Sequence, residues 1–335
     1  MKSSAYEMRP TRFHPVRVVA VALIFLLAAP VAAIAAPTRI LVFGDSNSWG
    51  WRPEETGFPT DRYPTGTPWP DVMAATLDDR AVVFTDALSG RTVDQDPPDP
   101  IGALAPSAFN GARALPASIA ENLPLDLVII MLGTNDLRAD MRRSPEDIAR
   151  SLRELARSVD ASRSGVGTVY AAPRVMIVSP VPIGDVSRTP IRERMSGTQE
   201  PSRRLAAAIR SAFIGSDVML FDTASAIGVA DGVDGVHLSA EAHARLGRAI
   251  AAAIQSILPE QIAVDPGVSF INGIAASSTG TLYVGGLTNG RILRRDPHGS
   301  WRTFFEPHPE IWSVTSLRLD ERRGVLWGTS PDVLH

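Results

Sequence analysis

The sequence predicts an α/β domain built on a parallel β-sheet, with an apolar leader before it and a short all-β segment after it. Short apolar runs alternate with helical stretches from about residue 38 to residue 258, a pattern typical of a parallel sheet covered by helices on both faces. Strands bounded by glycine and proline replace this pattern towards the C-terminus. With 44% hydrophobic and 21% charged residues, the 335-residue chain has enough apolar material for such a core.

Residues 1–35 have the pattern of a signal peptide. Four basic residues within positions 2–17 precede an apolar run that continues to Ala36 and meets Pro37. Small side chains at Ala33 and Ala35 favour cleavage after Ala35. We therefore expect the mature protein in the periplasm or outside the cell. The alternative is an uncleaved membrane anchor, because the run approaches the length that spans a bilayer.

The domain at residues 37–258 contains five predicted strands and three predicted helices. The strands are continuous apolar runs, as expected of strands buried on both faces: Thr38–Phe43, Ala81–Thr85, Asp126–Leu132, Arg174–Ser179 and Val218–Phe221. The helices have apolar residues at helical spacing: Pro145–Val159, Ser202–Phe213 and Ala240–Ile257. Ser144 and Ser239 directly precede two of these helices and are predicted to be their N-caps.

Small and polar residues follow the predicted strands. Ser46 comes after the first strand, Gly90 after the second and Asn135 after the third, whereas Asp234 and His237 come before the last helix. Sites in open α/β sheets lie beyond the carboxyl ends of the strands. We therefore expect these residues at one edge of the sheet.

This combination of residues predicts a serine-hydrolase site. A serine hydroxyl becomes nucleophilic when a histidine takes its proton and a carboxylate orients that histidine. Ser46 is thus the candidate nucleophile, His237 the base and Asp234 the orienting carboxylate. Backbone N–H groups of Ser46 and Gly90 and the side-chain amide of Asn135 are the candidate oxyanion-hole donors. His243 is predicted to be a surface residue and not a metal ligand.

Four sequence blocks in this order resemble the SGNH/GDSL hydrolase superfamily. They are Gly44-Asp45-Ser46, Gly90, Gly133-Thr134-Asn135-Asp136 and Asp234-Gly235-Val236-His237. Gly50-Trp51 and the stretches at 125–132 and 231–235 resemble the arylesterase/acyltransferase branch in particular.

The resemblance implies a flavodoxin-like three-layer α/β/α fold with a five-stranded parallel sheet, and the same roles for Ser46, Asp234, His237, Gly90 and Asn135. It also implies cleavage of short-chain esters, with the acyl group passed to water, an alcohol or peroxide. The chain departs from the branch after the serine, where leucine and threonine are replaced by Asn47 and Ser48.

Other residues of these blocks have structural alternatives. Asn135 or Asp136 is a possible helix cap in an ordinary strand-to-helix turn. Asp45 and Asp136 are predicted to brace the loops by accepting backbone hydrogen bonds. The candidates for the substrate pocket are Asn47, Trp49, Trp51 and Phe58. The aromatic residues among them have a structural alternative, because aromatic side chains after a buried strand also occur in the hydrophobic core.

Composition restricts the partners. The formal net charge of −3 provides no electrostatic basis for nucleic-acid binding. The chain has no cysteine, which excludes disulfides, thiolate metal sites and a cysteine nucleophile. We expect no metal and no cofactor. The predicted partners are a small ester substrate and a water or alcohol acyl acceptor, with a homo-oligomer left open.

The segment at residues 264–335 contains six predicted short strands: Asn272–Ala276, Thr281–Gly285, Arg291–Arg295, Trp301–Phe305, Val314–Leu319 and Gly324–Gly328. The stretch around Leu282 is repeated 44 positions later around Leu326, a spacing typical of propeller blades. The segment resembles the start of a gluconolactonase-like or NHL-like β-propeller. Because it holds only about one and a half blades, the sequence is either a truncated product of a longer gene or a hydrolase with a small β appendage.

The predicted function is that of an exported serine esterase or acyltransferase that acts on small carboxylic esters through an acyl-enzyme on Ser46. Two alternatives remain: a carbohydrate O-acetyl esterase, or a ligand-binding propeller protein with an accessory hydrolase domain.

Overall fold

A computed structural model of the protein describes residues 36–56, 60–161, 167–258, 271–297, 299–306 and 313–330. The chain divides into two compact units, of which the first is Ala36–Pro259 and the second contains Glu260–His335. The predicted signal peptide and its cleavage site lie outside the described residues. Within the described ranges, no helix has both the length and the apolar character needed to cross a membrane.

The first unit is built on a sheet of five parallel strands. In chain order they are β1 (Thr38–Gly44), β2 (Ala81–Ala87), β3 (Leu127–Met131), β4 (Arg174–Val178) and β5 (Met219–Phe221). Their order across the sheet is β2-β1-β3-β4-β5, which is the flavodoxin-like order. The five predicted strands and the parallel sheet are thus confirmed, with ends that differ by one or two residues.

Helices cover both faces of this sheet. They are α1 (Ser46–Trp49), α2 (Trp69–Leu77), α3 (Gly111–Asn122), α4 (Pro145–Ala161), α5 (Gln199–Ala212), α6 (Ala224–Ile227) and α7 (Ala240–Ala253). Alternate residues of β1 belong to different cores: Leu41 packs in the core with α3, α4 and α5, whereas Ile40 packs in the core with α2 and α7. This division makes the three layers, because successive side chains of a strand point to opposite faces.

The sequence did not predict the four-residue helices α1 and α6 or the longer helices α2 and α3. Pro68 directly precedes α2 and Pro70 is its second residue, a position where proline costs little because the first N–H groups of a helix have no partner within it. α3 contains Pro116 in its interior, where proline usually argues against a helix. The prolines therefore concealed both longer helices.

The predicted helix caps are present. Ser144 Oγ accepts a hydrogen bond from Asp147 N at 3.1 Å, and Ser239 Oγ accepts one from Ala242 N at 3.1 Å. The predicted helix Ala240–Ile257 is shorter than expected, because α7 ends at Ala253 and a separate 3₁₀ turn follows at Gln255–Ile257.

The second unit is entirely antiparallel where it is described. Its strands are β6 (Ile271–Ala276), β7 (Leu282–Gly286), β8 (Ile292–Arg295), β9 (Arg302–Phe305), β10 (Ser316–Asp320) and β11 (Val325–Thr329). β6 to β9 form a four-stranded sheet in chain order, and β10 pairs with β11. Leu282 and Leu326 both lie in the second strand of an antiparallel pair, which agrees with the repeat. The resemblance of this segment to the start of a propeller stays a prediction.

The second unit has a small core and exposed apolar side chains. Tyr283 and Ile292 of the four-stranded sheet pack in one cluster with Leu317 of β10. Outside this cluster, Trp327 is 58% exposed and Ile274 is 54% exposed. The strands β6 and β11 therefore each present apolar side chains to solvent.

Candidate active site

Ser46 lies at the turn where β1 passes into α1. Asp45 is the N-cap of that short helix, and its Oδ1 accepts a hydrogen bond from Asn47 N at 3.0 Å. Gly44 has no room for a side chain, because a Cβ there would lie 2.2 Å from Ser48 Oγ. The turn therefore depends on the glycine and the capping aspartate that directly precede the serine.

His237 bridges Ser46 and Asp234. Its Nε2 lies 2.9 Å from Ser46 Oγ, and its Nδ1 lies 2.6 Å from Asp234 Oδ2. A neutral imidazole satisfies both contacts when Nδ1–H donates to the carboxylate and Nε2 accepts from the serine hydroxyl. The structure thus brings together the three residues that the sequence indicated for nucleophile, base and orienting carboxylate.

Asp234 is fixed by its own loop. Its Oδ1 accepts hydrogen bonds from Val236 N and His237 N, each at 2.9 Å. Burial raises the pKa of Asp234, but the hydrogen bonds and charge of His237 together with these backbone bonds outweigh it, so the pKa lies below its ordinary value. Asp234 is therefore ionised at neutral pH, as an orienting carboxylate must be.

Aromatic side chains line one side of the histidine. Trp51 stacks on His237 with ring centroids 5.2 Å apart and planes tilted by 20°. Trp49 lies 6.3 Å from Trp51, and the Arg62 guanidinium lies over the Trp49 ring. Both tryptophans therefore border the site, whereas Phe58 lies outside the described residues.

Asn47 does not lie where a substrate-pocket residue was expected. Its side chain is 1% exposed, and its Nδ2 donates to the carbonyl of Val236 at 3.2 Å. The amide is directed into the protein because it bonds to the loop that carries the histidine.

The candidate oxyanion donors lie on adjoining loops. Gly90 has φ +90°, a left-handed conformation that favours glycine. Among the described groups, no acceptor receives a hydrogen bond from the N–H of Ser46 or Gly90. Asn135 Nδ2 donates to the carbonyl of Arg91 at 3.0 Å, which leaves its second hydrogen for another acceptor.

Arg91 connects these loops, a role that the sequence analysis missed. Its Nη1 donates to the carbonyl of Gly44 at 3.2 Å and to that of Asp86 at 2.8 Å, and the guanidinium lies 4.1 Å from the Phe43 ring centroid. Arg91 thereby ties the end of β1 and the end of β2 to the loop of Gly90. Its position directly after Gly90 was the only signal in the sequence.

Asp136 braces a neighbouring loop. Its two carboxylate oxygens accept from Val93 N at 3.0 and 3.1 Å, and Arg143 Nη1 donates to it at 2.8 Å. Asp136 and Asp45 thus accept the backbone bonds expected of them. The interpretation of Asn135 or Asp136 as a helix cap is wrong, because a 3₁₀ turn begins at Asn135 and follows Thr134, which makes no side-chain cap.

Both of these aspartates titrate abnormally. Burial raises the pKa of Asp45 to about 6 and that of Asp136 to about 6, since the loss of hydration outweighs their hydrogen bonds and neighbouring positive charges.

His243 is not a surface residue, contrary to the prediction. It is 0% exposed, and its Nδ1 accepts a hydrogen bond from Trp69 N at 3.1 Å. Burial lowers the pKa of His243 to about 4, so the ring is neutral at pH 7. Its helical position on α7 faces the first turn of α2, which explains the burial.

Within the parts of the chain that the structure describes, no group of three or more histidine, aspartate or glutamate side chains is arranged to hold a metal ion.

The fold and the site define a serine hydrolase that acts on ester bonds, on an SGNH hydrolase fold. Residues 42–245 match the model of the GDSL-like lipase/acylhydrolase family, which is more than half of the chain. The protein belongs to this family.

Solved structures of related enzymes agree with this assignment. The inhibitor-bound aryl esterase of M. smegmatis is 40% identical, with a TM-score of 0.61 over 66% of this chain and 100% of its own. A carbohydrate acetylesterase from Sinorhizobium meliloti is 39% identical, with a TM-score of 0.61 over 66% of this chain and 100% of its own. A search of curated protein sequences found no match.

Proposed function

We propose that this protein hydrolyses small carboxylic esters through an acyl-enzyme formed on Ser46. The observation that carries the proposal is the continuous set of contacts from Ser46 Oγ through His237 to Asp234, at 2.9 and 2.6 Å. Ser46 is 5% exposed and His237 is 9% exposed. The hydrogen bonds between them are therefore largely shielded from competing water.

In the acylation step, Ser46 Oγ attacks the ester carbonyl while His237 Nε2 takes the hydroxyl proton. The carbonyl oxygen becomes negatively charged and is stabilised by the N–H groups of Ser46 and Gly90 and by the Asn135 amide. The bond to the alkoxy group then breaks, and His237 returns the proton to the departing alcohol.

Deacylation repeats these steps with a different attacking group. Water, or an alcohol in a transfer reaction, gives its proton to His237 Nε2 and attacks the acyl carbonyl. The bond to Ser46 Oγ breaks, and the serine recovers its proton from His237. Asp234 stabilises the imidazolium ion that exists during each step.

A carbohydrate O-acetyl ester is the second candidate substrate. It is favoured by the 39% identity to the carbohydrate acetylesterase from Sinorhizobium meliloti, whereas the 40% identity to an aryl esterase favours small aromatic esters. Hydrolysis rates over a panel of p-nitrophenyl esters of increasing acyl length and of acetylated sugars separate the two. Addition of an alcohol to the same assays measures acyl transfer.

We also propose that the protein acts in the periplasm or is secreted. The support is the basic and apolar pattern of residues 1–35. Cell fractionation and N-terminal sequencing of the mature protein test it, and an N-terminus at Ala36 is expected.

The direct test of the proposed function is Ser46→Ala. We expect kcat for p-nitrophenyl acetate to fall by about 10³-fold or more with the fold intact, because the nucleophile is removed. The wild type should show a burst of p-nitrophenol, and a labelled fluorophosphonate should modify Ser46. Near-parental kcat in folded Ser46→Ala would refute the mechanism.

A further inference from the structure

The side chain of Asn47 joins the two loops that carry the nucleophile and the base. Asn47 directly follows Ser46, and its Nδ2 donates at 3.2 Å to the carbonyl of Val236, which directly precedes His237. The contact connects positions that are 189 residues apart. It therefore links two separate segments at the points nearest to the reacting side chains.

The peptide group between Val236 and His237 is held from both sides. Its carbonyl accepts from Asn47, while its N–H donates to Asp234 Oδ1 at 2.9 Å. Asp234 belongs to the same loop as His237, so its bond shapes the loop but does not place it relative to Ser46. The bond from Asn47 contributes to that placement through the backbone next to the histidine.

Asn47 is itself anchored. Its backbone N–H donates to Asp45 Oδ1 at 3.0 Å, and its side chain is 1% exposed. A hydrogen bond in such surroundings has little competition from water. Its geometry is therefore fixed on both the nucleophile side and the base side.

The same side chain carries an energetic cost. In the described part of the chain, the buried Oδ1 of Asn47 has no hydrogen-bond partner, and a buried acceptor without a partner destabilises a fold. Leucine has the same branched shape as asparagine without its polar atoms. Leucine at position 47 would remove this unpartnered acceptor but would leave the buried Val236 carbonyl without its donor, so the two effects on the stability of the fold oppose each other.

We propose that Asn47 is a positioning residue, which sets the approach of His237 Nε2 to Ser46 Oγ through the Val236 peptide. The inference rests on the proposed esterase function. Without the bond, the Ser46–His237 contact and the stacking of Trp51 on His237 still hold the histidine near the nucleophile turn, but the backbone next to the histidine is free to shift. The histidine then spends less time where it can take the serine proton.

The test compares Asn47→Leu with the wild type, using enzyme concentrations fixed by complete fluorophosphonate titration of Ser46. We expect kcat for p-nitrophenyl acetate to fall about 10- to 100-fold, since small displacements of catalytic groups have effects of this size. KM should change less than about twofold. The rate of fluorophosphonate labelling should fall in parallel with kcat, and Tm should change little, because loss of the unpartnered Oδ1 offsets loss of the bond to the Val236 carbonyl.

Ser48→Ala is the matched control. Ser48 lies in the same short helix and is 0% exposed. Its Oγ has no hydrogen-bond partner within the described structure, so it does not link the helix to the histidine loop. Its removal should leave kcat unchanged. Asn47→Ala is a second variant that cannot overfill the site, and it should show the same loss of kcat per titrated serine.

Two results would overturn the inference while leaving the proposed function standing. The first is wild-type kcat and labelling rate in Asn47→Leu or Asn47→Ala. The second is a loss of kcat in Asn47→Leu that disappears when activity is expressed per titrated site and is matched by a lower Tm, which would make Asn47 purely structural. Full activity in Ser46→Ala, by contrast, would refute the proposed function itself.

Discussion

The two units of the chain bury their strands very differently. All five residues of β3 in the first unit are buried, whereas four of the five residues of β11 in the second unit are exposed. The first unit covers both faces of its parallel sheet with helices, while the described part of the second unit leaves large apolar side chains such as Trp327 open to solvent.

The difference in strand direction has a consequence for chemistry. Parallel strands all end at the same edge, so the residues that follow them, including Ser46 and Asn135, come together there. Antiparallel strands end alternately at opposite edges, and residues that follow them are separated. The first unit thus has both the packing and the direction needed to assemble a site.

Asn135→Ala tests whether the residues at the edge of the parallel sheet act together as a site, and its expected effect is the largest after that of Ser46→Ala. We expect kcat to fall about 10²- to 10³-fold, because one donor to the developing oxyanion is lost. The hydrogen bond to the Arg91 carbonyl is lost as well, so a modest drop in Tm is expected. Steady-state kinetics and thermal unfolding of the same preparation provide both numbers.

Asn122→Ala is the control for that substitution. Its amide also donates one hydrogen bond to a backbone carbonyl, that of Ser118 at 2.8 Å, but it lies at the end of α3 and contacts none of the site residues. Its Tm should fall by a similar amount with kcat retained. If Asn135→Ala behaves like Asn122→Ala, the three-donor oxyanion hole is wrong.

The sequence predicted the first unit well because its evidence was local. An apolar run such as that of β3, Leu127–Met131, predicts a buried strand by composition alone. The residues that follow it are then candidates for the site, because sites lie beyond the carboxyl ends of parallel strands. The prediction failed where the outcome depends on a distant partner. The guanidinium of Arg91 reaches Gly44, 47 positions away, and its position directly after Gly90 does not identify that partner.

His243 shows the same limit. Its spacing on α7 was compatible with either an exposed or a buried face, and only the packing of α2 against α7 decides between them. Asn47 was interpreted from its proximity to Ser46 alone, although the direction of its side chain is determined by Val236.

The second prediction concerns the buried ring of His243 and its effect on the pH dependence of stability, which is intermediate in size. Burial lowers the pKa of His243 to about 4. Between pH 6.5 and 4 the imidazole is therefore protonated in the unfolded chain but remains neutral in the folded chain. The contribution of His243 to the free energy of unfolding should therefore be constant above about pH 6.5 and should become less favourable towards pH 4, by up to ~3 kcal/mol.

His243→Gln should remove this part of the pH dependence, because glutamine does not titrate and its amide oxygen is an acceptor for Trp69 N. Urea unfolding of both proteins between pH 7 and 4.5 measures it. Asp45 and Asp136, whose raised pKa values make the folded state more stable as pH falls below about 6, act in the opposite direction in both proteins. Parallel pH curves for the two proteins would contradict the prediction.

Removal of the second unit has the smallest expected effect. It tests directly whether the first unit alone is sufficient for activity. Every residue of the two large cores lies between 40 and 258, so a chain that ends at Leu258 should keep kcat and KM within about twofold for p-nitrophenyl acetate. Loss of activity in a folded truncated protein would instead support a ligand-binding second unit with an accessory hydrolase.

The contact between Ser46 and His237 joins residues that are 191 positions apart. Ser46 is made at the beginning of the first unit and His237 just before its last long helix. At the usual speed of protein synthesis, roughly 10–40 s separate the two on the ribosome. A nascent or interrupted chain that lacks His237 has a serine without its base, so it is inert towards esters, and hydrolysis becomes possible only when nearly the whole unit has been synthesised.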